Sequence, residues 1–230
     1  MGDVKTIRRL LGKCTQSERK QIFDVLRAEF PIHALEADLG ITAEMILEAI
    51  ARSSDLVLRG IRGIIAEVAF RINVIDKLEG WHSRELVGDF SYDFDLYDNI
   101  GSVRVQVKMQ RLKGHVPMLA SQGYSWLPSD MYAVETQRTR GGKDTKTGED
   151  TRPYRFGEFD ILAVSMHPST RDWGIFMYTV ADWLLPRPED AQLMLKFQPV
   201  GKIPDDRWTA NLEEAIAWFR SKERKSMLRS

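Results

Sequence analysis

Residues 91–110 read SYDFDLYDNIGSVRVQVKMQ, and polar and apolar side chains alternate on both sides of a short turn. Alternation with a period of two is typical of half-buried β-strands. It predicts one strand at 91–98 and a second at 102–110. The tetrapeptide Asp-Asn-Ile-Gly at 98–101 would join them as a tight turn, so the segment is expected to form a β-hairpin.

The polar residues of this hairpin are expected to lie on one face. Asp93 and Asp95 are two residues apart on the first strand and therefore share a face. Gln106 and Lys108 share a face of the second strand, while its three valines occupy the other. Polar side chains on an inner strand cost free energy unless they are hydrogen-bonded or functional. We therefore expect the acid, the amide and the lysine to converge.

The rest of the chain predicts an α+β (or α/β) fold with a mixed central sheet, flanking helices and a helical N-terminal part. A second hairpin is predicted at 159–166 and 173–185. Helical spacing predicts several helices, with Thr15 or Ser17, Thr42 and Ser54 as candidate capping residues. The predicted helical segments are 16–29, 32–40, 42–53, 54–80, 189–197 and 210–228.

The helix predicted at 54–80 should be central and mostly buried, because its apolar residues cover a broad face. Gly60 and Gly63 lie beside that face, and glycine costs about 1 kcal/mol relative to alanine inside a helix. This indicates a close approach to the helix backbone. Glu67 continues the same stripe as a carboxylate on an otherwise nearly apolar helix, which makes it a candidate functional residue.

The composition limits the class of protein. The chain has 230 residues, 43% of them hydrophobic, with 33 basic and 33 acidic side chains. This suits a globular fold and not a disordered polymer. No apolar run approaches the roughly 18 residues of a membrane helix, so we expect a soluble, cytoplasmic protein with no membrane association. The single cysteine, Cys14, excludes an internal disulfide and a multi-cysteine zinc site.

Two regions are expected along the chain. Residues 1–53 would form the N-terminal helical region, in which 31–53 is either a helix-turn-helix or, more simply, a helical hairpin. Residues 54–230 would form the core. Its irregular segment 112–157 holds most of a basic excess, since 104–156 carries ten Lys or Arg against five acids. A local basic segment in a neutral chain is typical of a phosphate-binding cleft, although a solvated loop would look similar.

The order of these motifs resembles the PD-(D/E)XK nuclease superfamily, and type II restriction endonucleases in particular. The resemblance is carried by a helix glutamate in IIAEVAF, then SYDF and VQVKMQR, with 13 residues between Asp93 and Gln106. It implies a restriction-endonuclease-like core in which Asp93, Gln106 and Lys108 match the motif and Glu67 matches the helix glutamate. These four would be catalytic residues, and Asp93, Gln106 and Glu67 would bind Mg²⁺. Gln106 departs from the family pattern, because an amide replaces the second acid.

The resemblance implies a sequence-specific type II enzyme that hydrolyses double-stranded DNA. It also implies a homodimer and a companion DNA methyltransferase. Base reading needs donors and acceptors beyond those that hold phosphate. The residues expected to supply them are Gln137, Arg138, Arg140, Lys143, Arg152 and Arg155. Two alternatives stay open: a repair or branched-DNA nuclease of the same fold, and a non-catalytic DNA-binding regulator.

Overall fold

A computed structural model of the chain describes residues 3–138 and 152–228. It contains two compact units, Met1–Leu58 and Arg59–Ser230. The helices are α1 (Asp3–Lys13), α2 (Gln16–Glu29), α3 (Leu35–Leu39), α4 (Ala43–Ala51), α5 (Asp55–Asn73), α6 (His167–Thr170) and α7 (Leu212–Ser221). The strands are β1 (His82–Arg84), β2 (Phe94–Tyr97), β3 (Ser102–Met109), β4 (Leu112–Lys113), β5 (Val116–Pro117), β6 (Tyr132–Glu135), β7 (Ile161–Ser165), β8 (Phe176–Val180) and β9 (Phe197–Val200). None of the described helices has the length and apolar character needed to cross a membrane.

The first unit consists of short capped helices. Thr15 caps α2 in a capping box with Glu18, and the Thr42 side chain accepts a hydrogen bond at the start of α4, as the sequence predicts. Arg27 joins the helices by pairing with Glu36 at 2.8 Å and with Glu44 at 3.2 Å. The guanidinium and nearby backbone N–H groups lower the pKa of Glu36 to about 2. Helices α1 to α4 contain no buried residue among those described, so polar caps and ion pairs define this unit.

The second unit is built on a five-stranded mixed sheet with the order β1-β2-β3-β7-β8. The strands β1, β2 and β3 form an antiparallel meander, β7 runs parallel to β3, and β8 returns antiparallel to β7. This confirms the predicted fold class and both predicted hairpins. The strand β3 lies at the centre, where its three valines are at most 3% exposed. Two smaller ladders, β4 with β5 and β6 with β9, lie outside the main sheet.

Helix α5 packs on the sheet through a narrow stripe. Its buried residues are Ala66, Ala69 and Phe70. The Phe70 ring lies 5.3 Å from the ring of Phe94 on β2 and 5.3 Å from that of Phe176 on β8. Because these contacts reach both β2 and the edge strand β8, Phe70 anchors α5 across the sheet. Glu67 lies one turn earlier on the same helix and is positioned with it.

The prediction that this helix is mostly buried is wrong. Six of its apolar side chains are 41–67% exposed: Leu56, Val57, Ile64, Ile65, Val68 and Ile72. The helix also ends at Asn73, and a single 3₁₀ turn at Ile75–Lys77 replaces the predicted continuation to Gly80. No described atom lies within 4 Å of the Cβ position at Gly60 or Gly63, so the predicted close approach to the backbone is absent there.

Two other segment predictions need correction. Residues 189–197 are not helical; they run in extended or irregular conformation, with β-bridges from Leu193 to Arg155 and from Met194 to Pro186. The cause is tertiary: Met194 is fully buried, and the buried side chain of Gln198 bonds the Leu195 carbonyl at 3.0 Å. The segment 112–157, expected to be irregular, contains β4, β5 and β6 within its described part.

The packing of Phe70 gives a test of how α5 is held. We expect Phe70→Ala to lower the free energy of unfolding by about 3–5 kcal/mol, because a fully buried ring is replaced by a cavity. Ile64→Ala, on the exposed side of the same helix, should change it by less than about 0.5 kcal/mol. Urea denaturation of both variants measures this difference. A loss at Ile64 equal to that at Phe70 would contradict the packing described.

Candidate active site

The candidate site lies where the β2–β3 hairpin begins. Asp93 directly precedes β2, and its backbone N–H donates to the carbonyl of Val105 on β3 at 3.0 Å. Gln106 and Lys108 follow on β3, on the face opposite the valines. The parallel pairing of β3 with β7 places Leu162 beside Gln106 and Val164 beside Lys108. The polar face of β3 is therefore bordered by buried aliphatic residues.

Asp93 and Gln106 are in direct contact. The Gln106 Nε2 donates to Asp93 Oδ2 at 2.5 Å and to the Val107 carbonyl at 3.1 Å. The backbone N–H of Val107 donates to the same Asp93 oxygen at 2.7 Å. Two N–H groups thus hold one carboxylate oxygen against the central strand. The amide at 106 acts here as the hydrogen-bond partner of the acid.

Glu67 reaches the same site from α5. Burial and, to a smaller extent, the negative charge of Asp93 raise its pKa to about 7, whereas Lys108 opposes the shift. Burial also raises the pKa of Asp93, against the lowering effects of Lys108 and of the Val107 N–H. The ammonium of Lys108 therefore lowers the pKa of both carboxyl groups. The structure brings Glu67, Asp93, Gln106 and Lys108 together in one group of interacting side chains.

Lys108 has an aromatic partner that sequence reasoning did not assign. Its Nζ lies 5.1 Å from the centre of the Tyr154 ring, and the guanidinium of Arg138 lies 5.5 Å from the same centre. Tyr154 is only 4% exposed and packs edge-on against Phe159. A ring face attracts cations, so Tyr154 offers a favourable contact to both positive groups. No sequence signal connects 154 to 108, because the contact depends on the tertiary fold.

Asp95 is engaged elsewhere. Its carboxylate pairs with Arg84 of β1 at 2.8 Å, and the residue is 8% exposed. Its position on β2 lies opposite Arg104 on β3, which itself pairs with Asp160 at 2.7 Å. Asp95 therefore belongs to an ion-pair group on the sheet. The two candidate carboxylates of the site are Asp93 and Glu67.

The donors of the site suit a hard cation. No group of three or more His, Cys, Asp or Glu side chains that could hold a metal occurs in 3–138 and 152–228. The candidate set has two carboxylates, Asp93 and Glu67, together with the Gln106 amide oxygen, and Mg²⁺ prefers such oxygen ligands together with waters. Burial raises the pKa of both carboxyl groups, and the ammonium of Lys108 offsets this only in part. A divalent cation would supply further positive charge.

The predicted recognition residues lie around a segment that falls outside the description. Arg140 and Lys143 are within 139–151 and are not among the described residues. The other four border this segment, two on each side: Gln137, Arg138, Arg152 and Arg155. Two of them are directly joined, since the Arg138 N–H donates to the Arg152 carbonyl at 2.9 Å. The two ends of the segment are therefore held side by side.

Glu158 holds the residues on both sides of this segment in place. Its carboxylate pairs with the Arg138 guanidinium at 2.7 Å and accepts from the backbone N–H of Arg155 at 3.0 Å. Arg138 also lies over Tyr154, the ring beneath Lys108. A continuous set of contacts therefore runs from the base of the predicted recognition loop to the lysine of the site.

Comparison with known proteins finds a likeness among solved structures. No family model matches the chain, and no curated protein matches its sequence. Among solved structures, the chain is similar to a bacterial homing endonuclease, with a TM-score of 0.35 and 22% sequence identity. The match covers 54% of this chain and 69% of that one. A likeness of this size does not itself indicate an activity.

The raised pKa of Glu67 predicts a pH-dependent cost in stability. Its folded-state pKa of about 7 exceeds its ordinary value of 4.5, so the folded protein binds more protons between these values. The free energy of unfolding therefore falls as pH rises from 4.5 to 7. Without divalent metal, Glu67→Gln should be more stable than wild type at pH 8, by about 1–2 kcal/mol because solvent screens part of the effect. Near pH 4.5 the difference should be small.

Urea denaturation at the two pH values in the presence of a chelator measures this cost. Glu79→Gln is the matched control, because Glu79 is an exposed glutamate of the same unit. Its stability should follow that of wild type at both pH values. Equal stability of Glu67→Gln and wild type at pH 8 would contradict the buried environment of Glu67.

Proposed function

We propose that the chain is a Mg²⁺-dependent endonuclease that hydrolyses phosphodiester bonds of double-stranded DNA. The observation that supports this is the convergence of Glu67, Asp93, Gln106 and Lys108. Two partly buried carboxyl groups, an amide and an ammonium form a group that can bind both a hard cation and a phosphate. Gln106 and Lys108 lie on the central strand β3, where burial of polar groups is otherwise unfavourable.

Hydrolysis of a phosphodiester needs an activated water and stabilisation of charge on the phosphoryl and leaving oxygens. A bound divalent cation supplies both by polarising the phosphoryl oxygen and by lowering the pKa of its water. Asp93 and Glu67 would hold that cation in their ionised forms. Gln106 can contribute only its amide oxygen, so its amide would turn from donating to Asp93 to facing the cation.

Lys108 supplies the fixed positive charge. Its ammonium lies close enough to Asp93 and Glu67 to lower the pKa of each. In the proposed enzyme it attracts a nonbridging phosphate oxygen and orients the attacking water beside it. The Tyr154 ring keeps the ammonium on the polar face of β3 through a cation–π contact. Lysine is suited to this role because its charge is compact and its donors rotate.

We further propose a type II, sequence-specific mode of action. The base-reading residues would be Gln137, Arg138, Arg140, Lys143, Arg152 and Arg155, of which the four described ones flank residues 139–151. Arginine can bond guanine and glutamine can bond adenine in a bidentate manner. Cleavage of both strands at a symmetric site needs two active sites, so the active form would be a homodimer. A DNA methyltransferase that protects the host sequence would be its companion.

Lys108→Ala tests the proposed chemistry. We expect cleavage of a long mixed-sequence duplex with Mg²⁺ to slow by at least about 100-fold, because charge stabilisation at the phosphate is lost. DNA affinity should change by much less, since one of many phosphate contacts is removed. Gel analysis of the cleaved ends and a binding assay with a chelator measure the two effects.

Lys113→Ala is the matched control, since Lys113 is an exposed lysine on β4 in the same basic segment. It should cleave as wild type does. Wild-type activity in Lys108→Ala would remove the lysine from the mechanism. Absence of cleavage by wild type, with DNA binding retained, would support a non-catalytic DNA-binding regulator instead.

Gln106→Glu tests the cation site independently of DNA. The new carboxylate would face Asp93 where an N–H now donates, so we expect tighter Mg²⁺ binding, by about tenfold, because negative charge is added to the ligand set. Glu67→Gln removes one charge and should weaken binding. Titration calorimetry with Mg²⁺ measures both changes. Identical affinities in wild type and both variants would show that these side chains do not bind the ion.

A further inference from the structure

A second group of cations surrounds a small cavity at the end of β3. The cavity has a volume of about 170 Å³. Its lining residues are Arg62, Met109, Leu112, His115, His167, Pro168, Arg171 and Trp173. Cavities that bind whole small molecules usually measure about 300–1,000 Å³. This one is suited to a smaller group, and its charged lining selects an anion.

The two arginines of this cavity have no anionic partner within the described part of the chain. Neither Arg62 nor Arg171 forms an ion pair with a described carboxylate, whereas on the sheet itself Arg84 pairs with Asp95 at 2.8 Å. Both arginines come from different elements, Arg62 from α5 and Arg171 from the residue after α6. An anion bound in this cavity would give both guanidinium groups a partner of opposite charge.

Two stacked aromatic rings form part of the lining of this cavity. The His167 ring stacks on that of Trp173, with centres 3.8 Å apart and an angle of 13°. Burial lowers the pKa of His167, and the charge of Arg171 lowers it further, while Asp172 opposes this. Arg171 also has a left-handed backbone, with φ of 62°, which a residue other than glycine adopts at a cost. This conformation closes α6, because the Arg171 N–H donates to the His167 carbonyl at 2.8 Å.

The cavity shares two elements with the candidate active site. Met109 follows Lys108 directly on β3, so the two side chains lie on opposite faces of the strand. Arg62 precedes Glu67 by five residues on α5, which is about 7.5 Å along the helix axis. The cavity therefore lies along β3 and α5 but is distinct from the candidate site.

We propose that Arg62, Arg171 and the two histidines bind a phosphate of the DNA backbone other than the cleaved one. This inference rests on the proposed function for the identity of the ligand. A phosphate presents oxygens that guanidinium groups bond in pairs, and the cavity has the size and charge for one such group. The contact carries no base information and fixes the register of the strand over the site. Free inorganic phosphate has the same chemistry and is the other source of such an anion.

Salt-dependent DNA binding tests this site. Anisotropy of a labelled duplex is measured with a chelator, so that no cleavage occurs, between 50 and 200 mM salt for wild type, Arg62→Ala and Arg171→Ala. Loss of one phosphate contact should reduce the slope of log affinity against log salt by about 0.9 and lower the affinity about tenfold. Arg59→Ala removes the same charge from α5 outside the cavity and should leave the slope unchanged.

A second measurement separates the two phosphate sources. The histidine ring signals of His115 and His167 are followed by NMR on addition of the duplex and, separately, of inorganic phosphate, with His33 and His82 as internal references. Shifts of the first pair with the duplex, lost in Arg171→Ala, support the assignment. Saturable shifts with inorganic phosphate, together with an unchanged salt slope in both variants, would overturn it in favour of a free anion.

The outcomes distinguish this inference from the proposed function. Cleavage by wild type with Mg²⁺, combined with equal salt slopes in all four proteins, overturns the phosphate site alone. Reduced slopes in Arg62→Ala and Arg171→Ala, without cleavage by wild type, support the phosphate site and overturn the nuclease. The arginines are exposed, so both variants should fold, and their unfolding midpoints confirm it.

Discussion

The two-sided pairing of β3 is the constraint on which the second unit depends. Because β2 and β7 both hydrogen-bond to this strand, its backbone is satisfied and its side chains must alternate between two surroundings. One side takes the valines into the core. The other side holds Gln106 and Lys108 at fixed positions, and the hairpin brings Asp93 to them. The same pairing that stabilises the fold therefore sets the geometry of the candidate site.

This arrangement has an electrostatic cost. Asp93 and Glu67 both have raised pKa values, because burial disfavours their charged forms and Lys108 offsets this only in part. A core that was selected for stability alone would replace such groups with apolar residues. In the proposed enzyme a ligand completes this charge balance. A divalent cation with a bound phosphate would do so, since the cation would compensate the carboxylates and the lysine would compensate the phosphate.

The sequence predicts the parts of this structure that depend on local pattern. The β2–β3 and β7–β8 hairpins, the caps at Thr15 and Thr42, and the polar face of β3 all follow from periodicity and residue type. Features that depend on tertiary contacts were not predictable. Apolar periodicity shows that α5 has an apolar face. How much of that face the sheet buries is set by the packing around Phe70, which the sequence does not show. Residues 189–197 have helical propensity and are nevertheless extended, because burial of Met194 and bonding by Gln198 override it.

The site was likewise predictable only in part. The spacing of Asp93, Gln106 and Lys108 on a hairpin indicates that they meet, since pairing of neighbouring strands is a local event. Tyr154 and Arg171 carry no comparable signal, because Tyr154 reaches Lys108, and Arg171 reaches the cavity at Arg62, from a distant part of the chain.

These distant residues divide into two groups with different roles in the proposed enzyme. Arg138 and Lys108 lie over the same Tyr154 ring, and Arg138 is held by Glu158 at the base of the segment expected to read bases. Movement of Arg138 on DNA binding would therefore be transmitted to the Lys108 ammonium through the buried Tyr154 ring. The cavity at Arg62 and Arg171 instead lies against α5 and β3, whose positions are fixed by the core. Recognition of DNA bases would thus act on Lys108 through the adjustable contact at the Tyr154 ring. The backbone phosphate would instead bind in the cavity at Arg62 and Arg171, whose geometry is fixed. Cleavage would require both contacts to be formed.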